Sequence, residues 1–288
     1  MKIIDAHIHF SDIQSFKNTA DSISYVDYST EGLKTECKEN NVKLGIGMGV
    51  TENTKGGFPD FSSPNPMTNN LEKKKTKKLA HCVGINPVKL KGYDRIKELN
   101  NIENSLKDNE IVGIKIYAGY YPYYVYDTVY DPIYKLAEKY KIPVVIHGGD
   151  TYSERARLKF SHPLSVDEVA VRYKKVDFII CHFGDPAITN AAGVVAKNSN
   201  VYSDLSGLIV GDENKVNKRI NQRLFIEHIK RGIVYVDDYS KFLYGSDWPL
   251  VKMKPYINFI KEIIPKKYHE DVFYNNALRV FKRLKYYI

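Results

Sequence analysis

Histidine and aspartate recur at the ends of short apolar runs in this sequence. His7 and His9 end the first run, His147 and His182 end two later runs, and Asp247 follows the last one. Alternate residues of a strand share a face, so His7 and His9 should point the same way, about 7 Å apart. Imidazole and carboxylate groups are natural zinc ligands, and catalytic zinc keeps a position open for water. These residues therefore predict a metal site.

Eight apolar, β-branched runs are available to position these side chains. They are predicted as strands at residues 2–9, 42–49, 81–86, 112–117, 143–147, 178–182, 201–205 and 242–246. Each is nearly continuously apolar, as expected for strands covered on both faces. Helical patterns lie between them, for example at 127–140, at 214–231, and at 165–174, where Ser165 and Glu168 have capping-box spacing.

Strands that alternate with helices indicate a parallel sheet. Eight strands in 288 residues favour an α/β fold of the closed (β/α)8 TIM-barrel type, with 1–288 as one domain. An open doubly wound sheet is the alternative, but no GxGxxG or GxxxxGK[ST] follows a strand. The site should lie at the carboxyl ends of the strands. Two long irregular stretches, 10–30 and 51–70, should cover that end.

Composition excludes several classes of protein. With 43% hydrophobic and 27% charged residues, the chain is neither disordered nor collagen-like. Cys37, Cys82 and Cys181 are far apart, which argues against a disulfide framework and favours a reducing compartment. The start MKIIDAH does not resemble a signal peptide, and no apolar run approaches the roughly 18 residues of a membrane span. We expect a cytoplasmic protein without a membrane partner.

The net charge of +9 permits binding to nucleic acid or to an anionic surface. The densest basic run, at 73–78, is interpreted as a solvated helix face. No base-stacking or helix-turn-helix signature accompanies it, so nucleic-acid binding is not expected. The expected partner is a small-molecule substrate, and a homodimer is left open.

Several segments carry a resemblance to a known family. The chain resembles the amidohydrolase superfamily, specifically the amidohydrolase-2-type metal-dependent hydrolases of TIM-barrel fold. The matching segments run in the family's order and are IDAHIHF at 4–10, VGIKIYAGYYP at 112–122, IPVVIHGGD at 142–150, HPLSVDEVAVRY at 162–173, FIICHFGDP at 178–186, NVYSDLSG at 200–207 and LYGSDWP at 243–249.

The resemblance implies a role for each strand-end residue. His7, His9, His147 and Asp247 correspond to metal ligands, and Asp247 also touches the bound water in the family. His182 corresponds to an acid/base or substrate contact, or to a ligand of a second metal. A divalent cation lowers the pKa of bound water from 15.7 to about 7. Asp247 would then be the base, and His182 would polarise the carbonyl or protonate the leaving group. We expect one zinc ion, with manganese as the alternative.

The number of metals depends on the interpretation of Lys115, on the fourth predicted strand. Some superfamily members bridge two metals with a carbamylated lysine on that strand, and His182 would then also bind the second metal. We favour a lysine in the barrel interior that pairs with a carboxylate or reaches the substrate. Cys181 precedes His182 and should therefore point to the opposite face as buried packing.

The reaction is expected to be hydrolysis of an amide, a lactone or an ester. The alternative is decarboxylation of a small unsaturated or aromatic carboxylic acid, since the same branch of the family contains such lyases. Arg155 and Arg157 could bind a substrate carboxylate or lie on the surface. Tyr117 and Trp248 are expected to contact the substrate, and Asp204 to contact the substrate or to support a ligand. A binding protein on a degenerate barrel is disfavoured because the ligand set is intact.

Overall fold

The strands form a single sheet in the computed structural model, which describes residues 1–11, 13–49 and 79–287. Within these residues, eight parallel strands are hydrogen-bonded in sequence order. They are β1 (Ile3–Ile8), β2 (Val42–Met48), β3 (Leu79–Gly84), β4 (Ile111–Ile116), β5 (Val144–Ile146), β6 (Phe178–Ile180), β7 (Val201–Asp204) and β8 (Phe242–Leu243). The predicted (β/α)8 barrel is confirmed.

Hydrogen bonds from the segment after β8 close the barrel onto β1. Ala6 N donates to Tyr244 O over 2.9 Å, and Asp247 N donates to His7 O over 2.9 Å. These bonds continue the pairing beyond the two residues of β8 and hold the following segment against β1. They also bring Asp247 to the end of β1, where His7 and His9 lie.

Helices lie between the strands and cover the sheet. They are α1 (Gln14–Thr19), α2 (Thr30–Glu39), α3 (Pro87–Lys91), α4 (Arg95–Leu106), α5 (Asp131–Tyr140), α6 (Leu158–Ser161), α7 (Leu164–Arg172), α8 (Ile188–Lys197), α9 (Glu213–Ile220), α10 (Arg223–Val236), α11 (Met253–Ile263) and α12 (Asn276–Val280). Strand residues alternate between two apolar clusters. Ile3 and Ile114 pack with the helices, whereas Ile4 and Ile46 fill the barrel interior.

The segment 10–30 is more regular than predicted. It contains α1 and a short π-helix, Ala20–Ser24. Ile13, Phe16 and Ala20 recur at helical spacing and are buried, so burial of this apolar stripe supports a helix. The predictions for 51–70 and for the basic run 73–78 lie outside the described residues.

Two helix predictions need correction. Helix α7 begins at Leu164, so Ser165 lies inside the first turn, and its Oγ donates to His162 O over 2.8 Å instead of capping the helix. The predicted helix 214–231 is two helices, α9 and α10. Asn221 ends α9, and its side-chain amide donates to Asn217 O over 2.9 Å, a local bond that competes with helix continuation.

No helix in the described ranges combines the length and apolar character needed to cross a membrane. None of the three cysteines forms a disulfide, and all three are buried.

Candidate metal centre and substrate pocket

Four histidines converge at the carboxyl end of the barrel. His7 lies near the end of β1 and His9 directly after it, with ring centroids 5.2 Å apart. The His182 ring, after β6, lies 4.9 Å from His7 and 5.0 Å from the His147 ring, which follows β5. The strand ends thus bring together side chains that are far apart in the sequence.

Three ligand atoms face one another at the centre of this cluster. His7 Nε2 and His9 Nε2 lie 3.5 Å and 3.2 Å from Asp247 Oδ1. Ligand atoms from these three residues all lie within 4.8 Å of one another. His7 Nε2 and Asp247 Oδ1 are buried and have no hydrogen-bond partner among the described residues. Buried polar atoms are normally paired, so this set fits a divalent cation bound by nitrogen and oxygen.

The electrostatics of the cluster favour the forms that bind a metal. Burial is the main cause that lowers the pKa of His7 to about 3, and it also lowers the pKa of His9. Both imidazoles are therefore neutral near pH 7 and have a nitrogen lone pair available. Burial acts to raise the pKa of the Asp247 carboxyl, but His7, His9 and His182 outweigh it and hold that pKa well below its usual range. Asp247 is therefore ionised.

Asp204, at the end of β7, orients two of the histidines. Its Oδ2 accepts from His7 Nδ1 over 2.9 Å, and its Oδ1 accepts from the backbone N of His182 over 2.9 Å. The first bond places the proton on Nδ1 and turns Nε2 of His7 toward Asp247, as outer partners of metal-binding histidines do. Of the two roles considered from the sequence, the structure gives Asp204 the supporting one.

Asp204→Asn is expected to weaken zinc binding about 10-fold to 100-fold, because such partners contribute that much to metal affinity. Isothermal titration of zinc into chelator-treated protein measures the change. Asp167→Asn is the matched control, since Asp167 bonds Lys197 and Asn198 at the surface. Equal zinc affinities of the two variants would contradict the supporting role of Asp204.

His147 lies at the wall of the cluster and not in its central group. Its Nε2 donates to Asp150 O over 2.7 Å, which leaves Nδ1 unprotonated. Burial lowers the pKa of His147 well below its usual range. The geometry therefore leaves one nitrogen of His147 for a ligand.

The predicted orientation of Cys181 is wrong. His182 has a left-handed backbone (φ 56°), which breaks the strand alternation and brings both side chains to the interior side. Cys181 Sγ accepts a hydrogen bond from Lys115 Nζ over 2.9 Å. A second group of ligand atoms, from His7, Cys181 and His182, is also compact. Ser206 Oγ already contacts Nδ1 of both histidines, so this group is less suited to a metal.

A small inner chamber adjoins the cluster, with a volume of about 60 Å³. Besides the four histidines and Asp247, its walls include Phe16, Thr19, Lys115, Tyr117, Tyr120 and Leu250. An outer pocket of about 460 Å³ shares His147, His182, Asp247 and Tyr120 with the chamber. The site therefore combines a small inner chamber beside the histidine cluster with a larger outer pocket.

Of the four other residues considered as substrate contacts, one lines the inner chamber and three do not. Tyr117 lines the chamber, and its hydroxyl donates to Met48 O over 3.2 Å. Trp248 does not line it, because its ring is fully buried and packs 5.3 Å from the Tyr28 ring. Arg155 and Arg157 are exposed after β5 and line neither pocket. Of the two interpretations left open for Arg155 and Arg157, their exposure supports the surface one, whereas Trp248 was predicted too close to the histidine cluster.

Two site residues were missed by sequence reasoning. Ser206, which bonds both His7 and His182, lies two positions after Asp204, so strand alternation offered a signal for it. The Phe16 ring stacks on His9 at 4.5 Å and 23°. No comparable signal pointed to Phe16, because its segment was predicted to be irregular.

Gly207→Ala is expected to lower kcat about 100-fold, because a shift near 1 Å in reacting groups costs that much. Gly207 has φ +64°, and an added Cβ would lie 2.5 Å from His182 Nδ1 and 2.8 Å from Asp247 Oδ2. The strained backbone should also cost about 1–3 kcal/mol of unfolding free energy. Enzyme assays and urea unfolding measure both effects.

Gly193→Ala provides the control for this change. Gly193 lies within α8, and an added Cβ would meet nothing within 4 Å. We expect a small stabilisation of about 0.5–1 kcal/mol and unchanged turnover. If both alanine variants behaved alike, Gly207 would not be a constraint on the site.

Comparisons with known proteins agree with this arrangement of strands. A family model described as amidohydrolase matches residues 93–283. No curated protein matches the chain. An uncharacterized TIM-barrel protein from Bordetella bronchiseptica is 14% identical, with 98% of this chain and 99% of that chain covered and a TM-score of 0.70.

Two further solved structures share the fold. A probable 2-pyrone-4,6-dicarboxylic acid hydrolase from Acinetobacter baumannii is 16% identical, with 98% and 100% coverage and a TM-score of 0.61. A dihydroxybenzoic acid decarboxylase from Polaromonas sp. JS666, solved with manganese, is 12% identical, with 99% and 97% coverage and a TM-score of 0.64. Such identities establish the fold alone, whereas the family model covers more than half of the chain. The chain belongs to the amidohydrolase family.

Proposed function

We propose that the chain is a metal-dependent hydrolase of a small amide, lactone or ester. The observation that carries the proposal is the convergence of His7 Nε2, His9 Nε2 and Asp247 Oδ1, two of them buried without hydrogen bonds. Membership of the amidohydrolase family supports an enzyme of this type. His7, His9 and Asp247 would hold one zinc ion, with manganese as the alternative and His147 as a further ligand.

The side chains around the centre can supply both proton transfers. A divalent cation, when bound, would polarise the substrate carbonyl and make water more acidic. Asp247 is ionised and accepts the proton of the attacking water. His182 Nδ1 lies 4.0 Å from Asp247 Oδ2, so the two residues share one site. His182 gives a proton to the leaving group as its bond to the carbonyl carbon breaks.

Decarboxylation of a small unsaturated or aromatic carboxylic acid is the second candidate. The same fold is used by the dihydroxybenzoic acid decarboxylase reported above. In this reaction the bond between the substrate carbon and its carboxyl group breaks, and that carbon takes a proton in its place. His182 is the proton donor at the chamber wall in this scheme as well.

Product analysis tests the proposal and separates the two reactions. Zinc-loaded and manganese-loaded protein is incubated with a panel of lactones, esters, amides and unsaturated or aromatic acids. We expect hydrolysis products, and we expect chelation to abolish their formation. Release of carbon dioxide from an acid, without hydrolysis of any carbonyl compound, would favour the second candidate. Turnover that survives chelation would contradict both.

A further inference from the structure

A buried amine at the inner chamber is hydrogen-bonded to a thiol and not directly paired with a carboxylate of the described residues. Lys115 is fully buried on β4, and its Nζ donates to Cys181 Sγ over 2.9 Å. Within residues 1–11, 13–49 and 79–287, no carboxylate oxygen lies within 4.0 Å of this Nζ. Asp204 interacts electrostatically with Lys115, but from beyond that distance.

The two carboxylates nearest the histidine cluster are engaged elsewhere. Asp204 accepts from His7 Nδ1 and from the backbone of His182. Asp247 faces His7 and His9. A buried ion that no counter-ion contacts directly costs several kcal/mol even after the protein relaxes. An anionic ligand beside Lys115 would offset that cost.

The surroundings of Lys115 favour such a ligand. Lys115 lines the inner chamber, and its Nζ lies 5.2 Å from the centroid of the Tyr117 ring. Phe16 and Tyr120 form other parts of the wall, so the chamber is largely aromatic. Charged hydrogen bonds are stronger in such low-dielectric surroundings than in water. Arg155 and Arg157 are outside the chamber, and among its described lining residues Lys115 is the one lysine or arginine.

We infer that Lys115 is the anion-binding residue of the inner chamber and that the substrate carries a carboxylate that reaches it. The inference rests on the proposed function, since it concerns the same site. With a volume of about 60 Å³, the chamber suits a carboxylate on a short carbon chain, and the rest of a substrate would lie in the outer pocket of about 460 Å³. The substrate class is therefore a small carboxylic acid, including amides, lactones or esters that bear a free carboxylate.

Binding of crotonate and of its neutral counterpart crotonamide tests the inference. Both are measured by isothermal titration on protein as purified. We expect the wild type to prefer crotonate by about tenfold or more, since removal of one partner of a buried charge pair costs at least that much. Lys115→Met should abolish the preference, whereas Lys115→Arg should retain it. Lys135→Met, which removes an exposed charge on α5, should leave it unchanged.

Metal content, measured on the same samples, separates this inference from the proposed function. Loss of the preference in Lys115→Met at unchanged metal content supports the role of Lys115. Protein without metal whose crotonate preference still depends on Lys115 would overturn the metal proposal alone. If Lys115→Met does not fold by circular dichroism, Lys115→Gln replaces it. A wild type that binds no crotonate, or binds both probes equally, would overturn the inference, as would an unchanged preference in the folded variants.

Discussion

Asp247→Asn is expected to lower kcat by about a hundredfold to ten-thousandfold, the usual contribution of a positioned general base. Asparagine has nearly the same shape as aspartate, but its amide cannot accept the proton of the attacking water. It also removes the negative charge that faces His7 and His9 at 3.5 Å and 3.2 Å. Under the proposed mechanism, the variant should lose proton transfer and part of its affinity for the metal. Turnover is measured on the substrate found by product analysis.

Metal content distinguishes the two losses in this variant. Low turnover with the metal retained assigns the loss to proton transfer, and loss of the metal assigns it to ligation. Asp237→Asn is the control, because Asp237 is exposed at the end of α10, in the connection that precedes β8. Asparagine tolerates the left-handed backbone of this position (φ 51°). Equal turnover in the two variants would contradict the assigned role of Asp247.

Zinc should stabilise the wild type strongly and His7→Ala much less. A ligand that binds only the folded state at a thousand times its Kd adds about 4 kcal/mol to the free energy of unfolding. His7 Nε2 belongs to the central ligand group, so its removal should eliminate most of that gain. Urea unfolding with zinc and with a chelator measures the difference for each protein.

His228→Ala is the matched control for this experiment. His228 is a partly exposed residue of α10 that contacts Asp185, and it lies outside the histidine cluster. Its alanine variant should keep the full stabilisation by zinc. If His7→Ala gained as much stability from zinc as His228→Ala, the metal would bind elsewhere.

Strand alternation and apolar runs were sufficient to predict the barrel and the meeting of His7, His9 and Asp247. Apolar runs identify strands covered on both faces, and a closed parallel barrel brings their carboxyl ends together. The short strands β5, β6 and β8 were predicted too long. Backbone bonds continue just beyond two of them, from His147 N to Ile116 O and from Ala6 N to Tyr244 O, so the sequence pattern does not locate where the regular strand ends.

Side-chain directions after the strands were harder to predict. The left-handed backbone of His182 turns its ring into the site and invalidates the alternation used for Cys181. Asp247 also has positive φ (63°), and its neighbour Trp248 packs away from the chamber. Such conformations arise from tertiary packing around a site and leave no periodic signal in the sequence. The role inferred for Lys115 likewise depends on the groups that surround its Nζ, where a thiol and no carboxylate of the described residues is in contact, and only the structure shows those groups.

The most direct test of the metal centre is elemental analysis of the purified wild type and of His7→Ala. The arrangement of His7, His9 and Asp247 predicts about one equivalent of zinc or manganese in the wild type and a clear loss in the variant. About two equivalents would require a second set of ligands, with Lys115 and His182 as the first candidates. A wild type that holds no metal even after reloading with zinc and manganese would contradict the central claim.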